Sequence, residues 1–326
     1  APLIAATPGL ELAVIVTSDA DRAARAATAH PDAIVTADSD EVWQADAVVV
    51  ATPNRFHASY AHEAIARGVP VIVDKPLAAT AHDVDVLLAD AQAANAKLTV
   101  FQNRRWDGDF LTAKALADAG TLGTLTRLTS RFERFRPSVG TGWREASDPR
   151  DGGGQLLDLG PHLIDQALLL LGPASSVYAE ISRLRDGAQA DDDVFLSIRH
   201  NSGARSHLFM GAVSPAPADR LTLTGSEAGF SVATLDVQEA QLRAGIPPTD
   251  PAFGANQPGL FHDEAGHHEH TLVPGNYLAF YAGVREWLAG DAPPPVDPAD
   301  SAAVFAVIEA ARRSALGGEV VRLDGG

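Results

Sequence analysis

The strongest constraint on the fold is a regular alternation of short apolar runs with helical patterning through the first hundred residues. The predicted strands are 10–16, 47–51, 69–73 and 98–101, and the predicted helices are 21–30, 57–67 and 80–95. Strands that are apolar on both faces and alternate with helices form parallel sheets covered on both sides. This pattern predicts a doubly wound α/β domain of the Rossmann type, which binds nucleotides at the carboxyl edge of its sheet.

The pattern changes after residue 103, where strands follow one another without regular helices between them. After a helix at 107–119, the predicted strands are 125–135, 177–184, 193–200, 204–210 and 220–224. Residues 245–275, rich in Pro, Gly and His, are predicted to be a long loop before terminal helices at 277–288 and 299–316. The sequence therefore predicts two domains, 1–103 and 104–326, the second an α+β domain with an open-faced antiparallel sheet.

Composition narrows the expected partners and location. The chain has 326 residues and no apolar run of about 18, so no transmembrane helix and no membrane partner are expected. A net charge of −17 would repel a phosphate backbone, so nucleic acid is not an expected partner. The chain has no cysteine and its first residues lack a signal-peptide pattern, so we expect a cytoplasmic protein without disulfides or thiolate metal sites.

A dinucleotide-binding fold normally opens with a strand, a G-x-G-x-x-G loop and a helix, and this chain contains no G-x-G-x-x-G. Residues 2–7 instead look like the end of that first helix. Because the first strand is central in such a sheet, we expect about 20 residues to precede Ala1, since a βαβ unit needs about 30. The alternative is a truncated chain that folds poorly.

The first chemically suggestive segment is Val73-Asp74-Lys75-Pro76-Leu77, at the end of a predicted parallel strand. A lysine at this edge can donate a hydrogen bond to a substrate hydroxyl and favour its alkoxide-like state as hydride leaves. Pro76 fixes the following turn, with a cis peptide bond as one option. Taken alone, an Asp-Lys-Pro tripeptide more often contains an ordinary surface lysine.

The second segment, residues 152–165, combines three glycines with Asp158, Pro161 and His162. The glycines allow close approach of a ligand, and Pro161 is tolerated only in a first turn, so a helix is predicted to begin near Asp158. Asp158 and His162 are four residues apart and would share a helix face, where the histidine could transfer protons and the carboxylate could orient it. The alternative is a helix cap and a packed histidine.

Together, V-D-K-P-L and, about 80 residues later, G-G-G-x-L-x-D-x-G-x-H-x-I-D resemble the paired signature of the Gfo/Idh/MocA oxidoreductases. Segments similar to NADP-dependent scyllo-inositol dehydrogenases and their bacterial relatives are 101–112, 134–137, 143–145, 158–166 and 187–189. The resemblance covers essentially the whole chain. It departs from the family pattern in the absent glycine loop and in Asp74, where the family usually has Glu.

The resemblance implies an activity and roles for three residues. Lys75 would position the nicotinamide and the reacting hydroxyl, His162 would be the general acid/base, and Asp158 would tune or share that task. Hydride would pass between nicotinamide C4 and a cyclic polyol, such as an inositol, or a sugar-derived ketone or alcohol. The alternative is a non-catalytic NADP-binding sensor of the same fold. An open-faced sheet would suit a homodimer or homotetramer.

NADP is the expected cofactor, with NAD as the alternative. Thr17 and Ser18 at the end of the second strand leave room for a 2′-phosphate, and Arg22 could pair with it. Asp19 could instead bind the ribose 2′-hydroxyl of NAD. The other predicted cofactor-binding residues follow later strand ends or are implied by the resemblance: Ala51, Thr52, Pro53, Asn54, His57, Asp74, Lys75, Asn103, Trp143, Arg144 and Tyr277.

Two further polar groups allow competing interpretations. Arg104, Arg105 and Asp107 could meet substrate hydroxyls, or could be surface charge and a helix N-cap. The histidine-rich stretch 262–270 resembles metal-ligand material, but a polar loop would not fix its geometry. It contains no H-E-x-x-H, so no metal site is predicted.

Overall fold

The structure, a computed structural model, describes residues 1–140, 142, 145, 152–216 and 218–323. Parallel strands alternate with helices through the first hundred residues, which confirms the predicted fold class of this part. The strands are β1 (Val14–Val16), β2 (Ile34–Thr36), β3 (Val48–Val50), β4 (Val71–Asp74) and β5 (Leu98–Phe101). The helices are α1 (Pro2–Ala6), α2 (Ala20–Ala29), α3 (His57–Arg67) and α4 (Ala81–Ala93), with 3₁₀ turns at Ser39–Gln44 and Asn54–Phe56.

The parallel strands form two sheets among the described residues. β1 pairs with β2, and β3, β4 and β5 pair in that order. Val71, Ile72 and Val73 are fully buried, which explains the continuous apolar run of β4. β2 is not predicted from the sequence, because its three residues are partly exposed and lack a recognisable pattern.

Local signals fix the helix ends near the sheet. Thr80 is the N-cap of α4, as predicted, and its hydroxyl accepts a hydrogen bond from Asp83 N at 3.1 Å. Gly68 ends α3 in the left-handed conformation, with φ of 70°, which lets the chain turn directly into β4. These helices therefore begin and end where short-range sequence rules place them.

The rest of the chain forms a nine-stranded sheet with helices packed on one face. Its strands are β6 (Leu125–Glu133), β7 (Ala174–Ser182), β8 (Asp193–His200), β9 (Arg205–Gly211), β10 (Leu221–Gly225), β11 (Gly229–Val232), β12 (Gly259–Asp263), β13 (Gly266–His270) and β14 (Val321–Arg322). After a 3₁₀ turn at Asn103–Trp106, the helices are α5 (Gly108–Asp118), α6 (Gln155–Asp158), α7 (Gly160–Leu171), α8 (Gln238–Arg243), α9 (Tyr277–Ala289) and α10 (Asp300–Gly317). The α+β architecture agrees with the prediction.

The strand order is β13-β12-β11-β10-β6-β9-β8-β7-β14, and the sheet is mixed rather than purely antiparallel. Among the described strands of this sheet, β6 and β9 are the neighbours that run parallel. Several intervening elements, α6, α7, β7 and β8, separate them along the chain, so no hairpin forces them to be antiparallel.

The predicted loop at 245–275 is wrong in part, because it contains the hairpin β12–β13. β13 has the sequence Gly-His-His-Glu-His and is exposed along most of its length, so it carries no apolar alternation to mark a strand. The histidines therefore stand on an edge strand and not on an irregular loop.

The nine-stranded sheet has a covered face and an open face. Leu128, Val177 and Leu208 are fully buried on the face against which α7 and α10 pack. Phe195 and Phe209 stand on the opposite face, with ring centroids 4.9 Å apart. The site described below is on the helical side.

The C-terminal segments return to the first domain. Lys97 Nζ donates to the main-chain oxygens of Trp287 and Leu288, both at 2.8 Å, and Thr99 Oγ1 donates to Val296 O at 2.7 Å. These contacts fix the parallel sheet relative to the second domain. That relation matters because the site lies between them.

Candidate active site

Lys75 lies where β4 ends, at the carboxyl edge of the three-stranded parallel sheet. Its main-chain N–H donates to Asp74 Oδ1 at 2.8 Å, and the Lys75–Pro76 peptide bond is cis. The Lys75 side chain is 15% exposed, and its Nζ donates to Asp158 O at 2.6 Å and lies 3.5 Å from Asp158 Oδ1. The first domain and the second therefore meet at this ammonium group.

Asp158 and His162 lie on consecutive helices, because α6 ends at Asp158 and α7 begins two residues later. Pro161 occupies the first turn of α7, as expected for a residue without an N–H donor. The carboxylate of Asp191 accepts a hydrogen bond from Leu156 N at 2.8 Å, which anchors the start of α6. The glycine-rich segment thus delivers Asp158 to Lys75 from a fixed helix.

His162 is buried beside two arginines and the lysine. Its ring contacts the edge of the Phe132 ring, with centroids 6.2 Å apart, and Nδ1 has no hydrogen-bond partner among the described residues. Burial lowers the pKa of His162 well below its usual value, and the charges of Lys75, Arg104 and Arg220 lower it further. The imidazole is therefore neutral at pH 7 and within electrostatic range of Lys75.

Buried polar groups connect the loops after β3 and β4 with the glycine segment. His57 Nδ1 lies 2.7 Å from Pro76 O and its Nε2 lies 2.9 Å from Thr52 O, so both ring nitrogens face main-chain oxygens. Gly152, with φ of 66°, approaches Asn54 so closely that a Cβ there would collide with Asn54 Nδ2. His57 therefore ties two loops together, although it was predicted to border a cofactor.

The predicted 2′-phosphate residues follow β1 at the start of α2. Thr17 is buried and its Oγ1 accepts a hydrogen bond from Asp19 N, whereas Ser18 and Arg22 are exposed. Asp19 is the N-cap of α2, and its Oδ1 accepts a hydrogen bond from Arg22 N at 2.7 Å. Asp19, which could bind the ribose 2′-hydroxyl of NAD, therefore already uses one carboxylate oxygen to cap α2.

Two other predicted cofactor residues, Asn103 and Tyr277, have different surroundings. Asn103 lies two residues after the end of β5 and is 8% exposed, so it shares the carboxyl edge of the sheet with Lys75. The Tyr277 hydroxyl donates to Asp107 Oδ1 at 2.8 Å and accepts from Arg104 Nη1 at 3.3 Å. Its only polar side-chain atom is therefore engaged within the second domain.

Some of the remaining predicted cofactor residues lie at strand ends, and two lie outside the residues that the structure describes. Ala51 and Pro53 are exposed directly after β3, and Asp74 ends β4. Burial raises the pKa of Asp74, against the opposing effect of Lys75. Trp143 and Arg144 lie outside the described residues.

Arg105 is engaged by protein carboxylates, which favours a structural role over the predicted contact with substrate hydroxyls. Its Nε donates to Asp165 Oδ2 at 2.8 Å and its Nη2 to Asp165 Oδ1 at 2.5 Å. The same Nη2 donates to Asp300 Oδ2 at 2.7 Å. Asp107 is fully buried and accepts hydrogen bonds from Arg104 and Tyr277, so its carboxylate is not exposed to solvent.

Sequence reasoning missed a buried arginine, Arg220, that packs on the Phe132 ring beside His162. Arg220 donates to Ser130 Oγ at 2.5 Å and Gln166 Oε1 at 2.9 Å, and its Nε lies 3.3 Å from Asp109 Oδ2. Its guanidinium lies over the Phe132 ring, 4.2 Å from the centroid. An arginine before an apolar strand is ordinarily a surface residue, so only the tertiary structure shows this role.

The strand-end loops fit a nicotinamide dinucleotide. Thr52 Oγ1 and Asn54 Nδ2 are buried and have no hydrogen-bond partner among the described residues. Unpaired buried polar atoms cost free energy, and the amide, ribose and phosphate groups of a dinucleotide would supply partners for them. In the described part of the chain no cluster of three His, Asp or Glu side chains has metal-binding geometry, and no helix is long and apolar enough to cross a membrane.

Comparison with known proteins agrees with this geometry. Residues 1–102 match the family model described as "Oxidoreductase family, NAD-binding Rossmann fold", and residues 110–231 match the GFO/IDH/MocA C-terminal domain. The uncharacterized oxidoreductase YdgJ of Escherichia coli is 38% identical over 97% of this chain and 92% of its own. The scyllo-inositol 2-dehydrogenase (NADP(+)) IolW of Bacillus subtilis is 32% identical over 99% and 91%.

A solved structure extends the similarity to the whole fold. YPO2259 of Yersinia pestis is 34% identical and superimposes with a TM-score of 0.92, covering 100% of this chain and 93% of that one. Both domain matches and the full-length relatives point to the same group of proteins. The chain therefore belongs to the GFO/IDH/MocA oxidoreductase family, and it is an NAD(P)-dependent oxidoreductase acting on CH–OH groups.

Proposed function

We propose that the protein transfers a hydride between NADP and a carbinol or ketone carbon of a cyclic polyol, such as an inositol, or of a sugar-derived substrate. The observation that carries this proposal is the contact of Lys75 Nζ with Asp158, four residues before His162. The printed names of two relatives agree with a polyol or sugar. One is IolW, and the other is a D-apiose dehydrogenase of Rhizobium rhizogenes, 24% identical over 85% of this chain and 79% of its own.

Lys75 binds and polarises the substrate oxygen in this proposal. An ammonium group has three donor hydrogens, so Lys75 can bind a substrate oxygen while it remains bonded to Asp158. That hydrogen bond strengthens as the oxygen gains alkoxide character, so it stabilises the transition state more than the ground state. Asp158 holds the ammonium in place through its main-chain oxygen.

His162 moves the proton of the reacting hydroxyl. A nicotinamide bound at the strand ends would accept hydride from the carbinol carbon or return it in the reverse reaction. The neutral His162 can accept the hydroxyl proton, and the nearby charges of Lys75 and Arg104 make the resulting imidazolium a strong acid. We therefore expect oxidation to keep its rate from pH 8 down to 6.5 and to slow only at lower pH.

A spectrophotometric assay at 340 nm tests the activity with NADP or NADPH and a panel of inositols, anhydrosugars and aldoses. Lys75→Met and His162→Gln are each expected to lower kcat by about 10²- to 10⁴-fold with an unchanged far-UV spectrum. The matched control is Lys114→Met, on the exposed face of α5 and paired with Asp118. Wild-type turnover in either site variant contradicts the proposed roles.

We propose NADP as the preferred cofactor, bound through Ser18 and Arg22 at the N-terminus of α2. Loss of one charge-assisted contact corresponds to about 10- to 100-fold in binding. Arg22→Ala is expected to raise the KM for NADP by this factor and to leave the KM for NAD unchanged. Arg25→Ala, exposed one turn later on the same helix, is the control. Equal effects on the two cofactors contradict the assignment.

We propose that two copies pair through the open face of the nine-stranded sheet. Arg127, Arg199 and Arg205 are neighbours across three strands at one end of this face. Glu133 and Asp193 both flank Gly211 at the other end. A two-fold axis that lies between the two faces and perpendicular to the strands would set the arginines of each copy against the acids of the other.

Charge reversal tests this pairing. Arg205→Glu is expected to give a monomer by light scattering, and Asp193→Arg added to it is expected to restore the dimer, because the two positions face each other across the axis. The control is Arg67→Glu, exposed on α3 in the first domain. A monomeric wild type, or a double variant that stays monomeric, contradicts this interface.

A further inference from the structure

A cavity of about 340 Å³ opens at the carboxyl end of β6. Its lining comes from that strand end, from the loop between β9 and β10, and from the segment after β11: it includes Arg131, Glu133, Arg134, Phe135, Ser214 and Arg220. The volume falls in the range of small-molecule sites, roughly 300 to 1,000 Å³. No role has been assigned so far to this cavity.

Arg134 carries the unbalanced charge among the described residues that line the cavity. Arg131 is paired with Glu133 at 2.9 Å, and Arg220 lies 3.3 Å from Asp109. No carboxylate of the described residues lies within ion-pair distance of the Arg134 guanidinium, although this side chain is half-buried. A partly desolvated guanidinium without a counter-ion is unfavourable, so a ligand anion would be stabilised there.

The cavity adjoins the residues packed around His162. Arg220, which lines the cavity, lies over the Phe132 ring, 4.2 Å from its centroid, and the edge of this ring meets His162 with centroids 6.2 Å apart. Burial and Arg136 lower the pKa of Arg134, whereas Glu239 and Asp158 raise it. Asp158, one of these two carboxylates, is the residue whose main-chain oxygen accepts a hydrogen bond from Lys75 Nζ. A ligand bound in the cavity would therefore lie beside the residues packed around His162.

The chemistry of the lining selects one class of anion. A guanidinium presents two parallel N–H donors that match a carboxylate. One unbalanced positive charge suits a carboxylate, with charge −1, better than a phosphate monoester, which carries about −1.5 to −2 at neutral pH. The rest of the chain has a net charge that repels anions, so this cavity would be a local exception.

We propose that Arg134 binds the carboxylate of a sugar acid or cyclitol acid whose reacting carbinol lies at Lys75 and His162. This deepens the proposed function and rests on it for the position of the carbinol. Arg134 is then a specificity residue: it acts on the choice of substrate and not on hydride transfer itself.

Calorimetric titration of the full chain tests the carboxylate site without any need for turnover. The probes are D-glucuronate and D-galacturonate, each compared with its neutral partner, D-glucose or D-galactose, which differs only at C6. At least one acid is expected to bind about 10-fold or more tightly than its neutral partner. The preference is expected to vanish in Arg134→Gln and to persist in Arg136→Gln, an exposed arginine two residues later.

The outcomes separate this inference from the proposed function. Equal binding of each acid and its neutral partner, or a preference that survives Arg134→Gln, overturns the carboxylate site. Tighter binding of glucose 6-phosphate than of either uronate overturns the choice of carboxylate over phosphate. Arg134→Lys, which keeps the charge but loses the two parallel donors, is expected to retain part of the preference. Tighter binding of a uronate than of its neutral partner, without turnover of any compound in the panel, would refute the proposed function but not the carboxylate site.

Discussion

Replacement of Arg105 by Met removes the counter-ion of a buried carboxylate. Arg105 lies in the turn after β5 and makes two hydrogen bonds to Asp165, which is on α7 and only 4% exposed in its side chain. His162 lies three residues earlier on the same helix. The pair therefore holds the helix of the proposed base against the end of the parallel sheet.

The expected cost follows from this burial. Removal of one partner of a buried ion pair costs about 3 to 5 kcal/mol, because the remaining charge keeps its desolvation penalty without compensation. Burial already raises the pKa of Asp165, and Arg105 opposes that effect, so Arg105→Met raises this pKa further. A folded-state pKa above the unfolded value means that the folded protein binds more protons, so stability falls as pH rises through that window. The loss is therefore larger at pH 8 than at pH 5.

Urea unfolding at the two pH values measures the effect. Asp165→Asn added to Arg105→Met is expected to recover at least half of the loss at pH 8, because no charge then remains buried. Lys114→Met, which breaks an exposed pair with Asp118, is expected to change stability by less than about 1 kcal/mol. A loss below about 1 kcal/mol for Arg105→Met, or no recovery in the double variant, would refute the reasoning.

Two further predictions concern the same region. Gly152→Ala is expected to lower the free energy of unfolding more than Gly203→Ala does, because an added Cβ at Gly152 meets Asn54 whereas nothing lies near Gly203. Gly203→Ala measures only the cost of the left-handed backbone, about 1 to 2 kcal/mol. Equal unfolding midpoints for the two variants would contradict the contact with Asn54. His162→Gln is expected to reduce the loss of stability in acid. The folded-state pKa of His162 is lowered, so the unfolded state binds more protons below pH 6.5. Between pH 6.5 and 5, the wild type should therefore lose up to about 2 kcal/mol more unfolding free energy than the variant. An equal loss in the two proteins, measured by urea unfolding at both pH values, would argue against this.

The first domain is largely predictable because its signals are local. The bounds of α3 agree with the sequence prediction at both ends, and Gly68 and Thr80 act as the stop and start signals that their residue types indicate. β2 and the hairpin β12–β13 escape prediction, since short or exposed strands do not show the apolar alternation on which such predictions depend.

The site is less predictable, because its partners are distant in the chain. Lys75 and Asp158 are 83 residues apart, and only the docking of the two domains brings them together. Family resemblance indicates both residues, but no pattern indicates that the contact uses the main-chain oxygen of Asp158. The engagement of Arg105 by Asp300, 195 residues away, and the packing of Arg220 on the Phe132 ring beside His162 depend on the complete fold in the same way.

The division of the nine-stranded sheet into a helical face and a bare face has a kinetic consequence. Lys75 and His162 lie on the helical side, so two copies joined through the bare faces would stand back to back, with their clefts opening in opposite directions. Neither subunit would reach Lys75 or His162 of the other, although Glu133 of the proposed interface also lines the cavity at the end of β6. Such a dimer should follow simple hyperbolic saturation with a Hill coefficient of about 1, as expected for sites without coupling free energy.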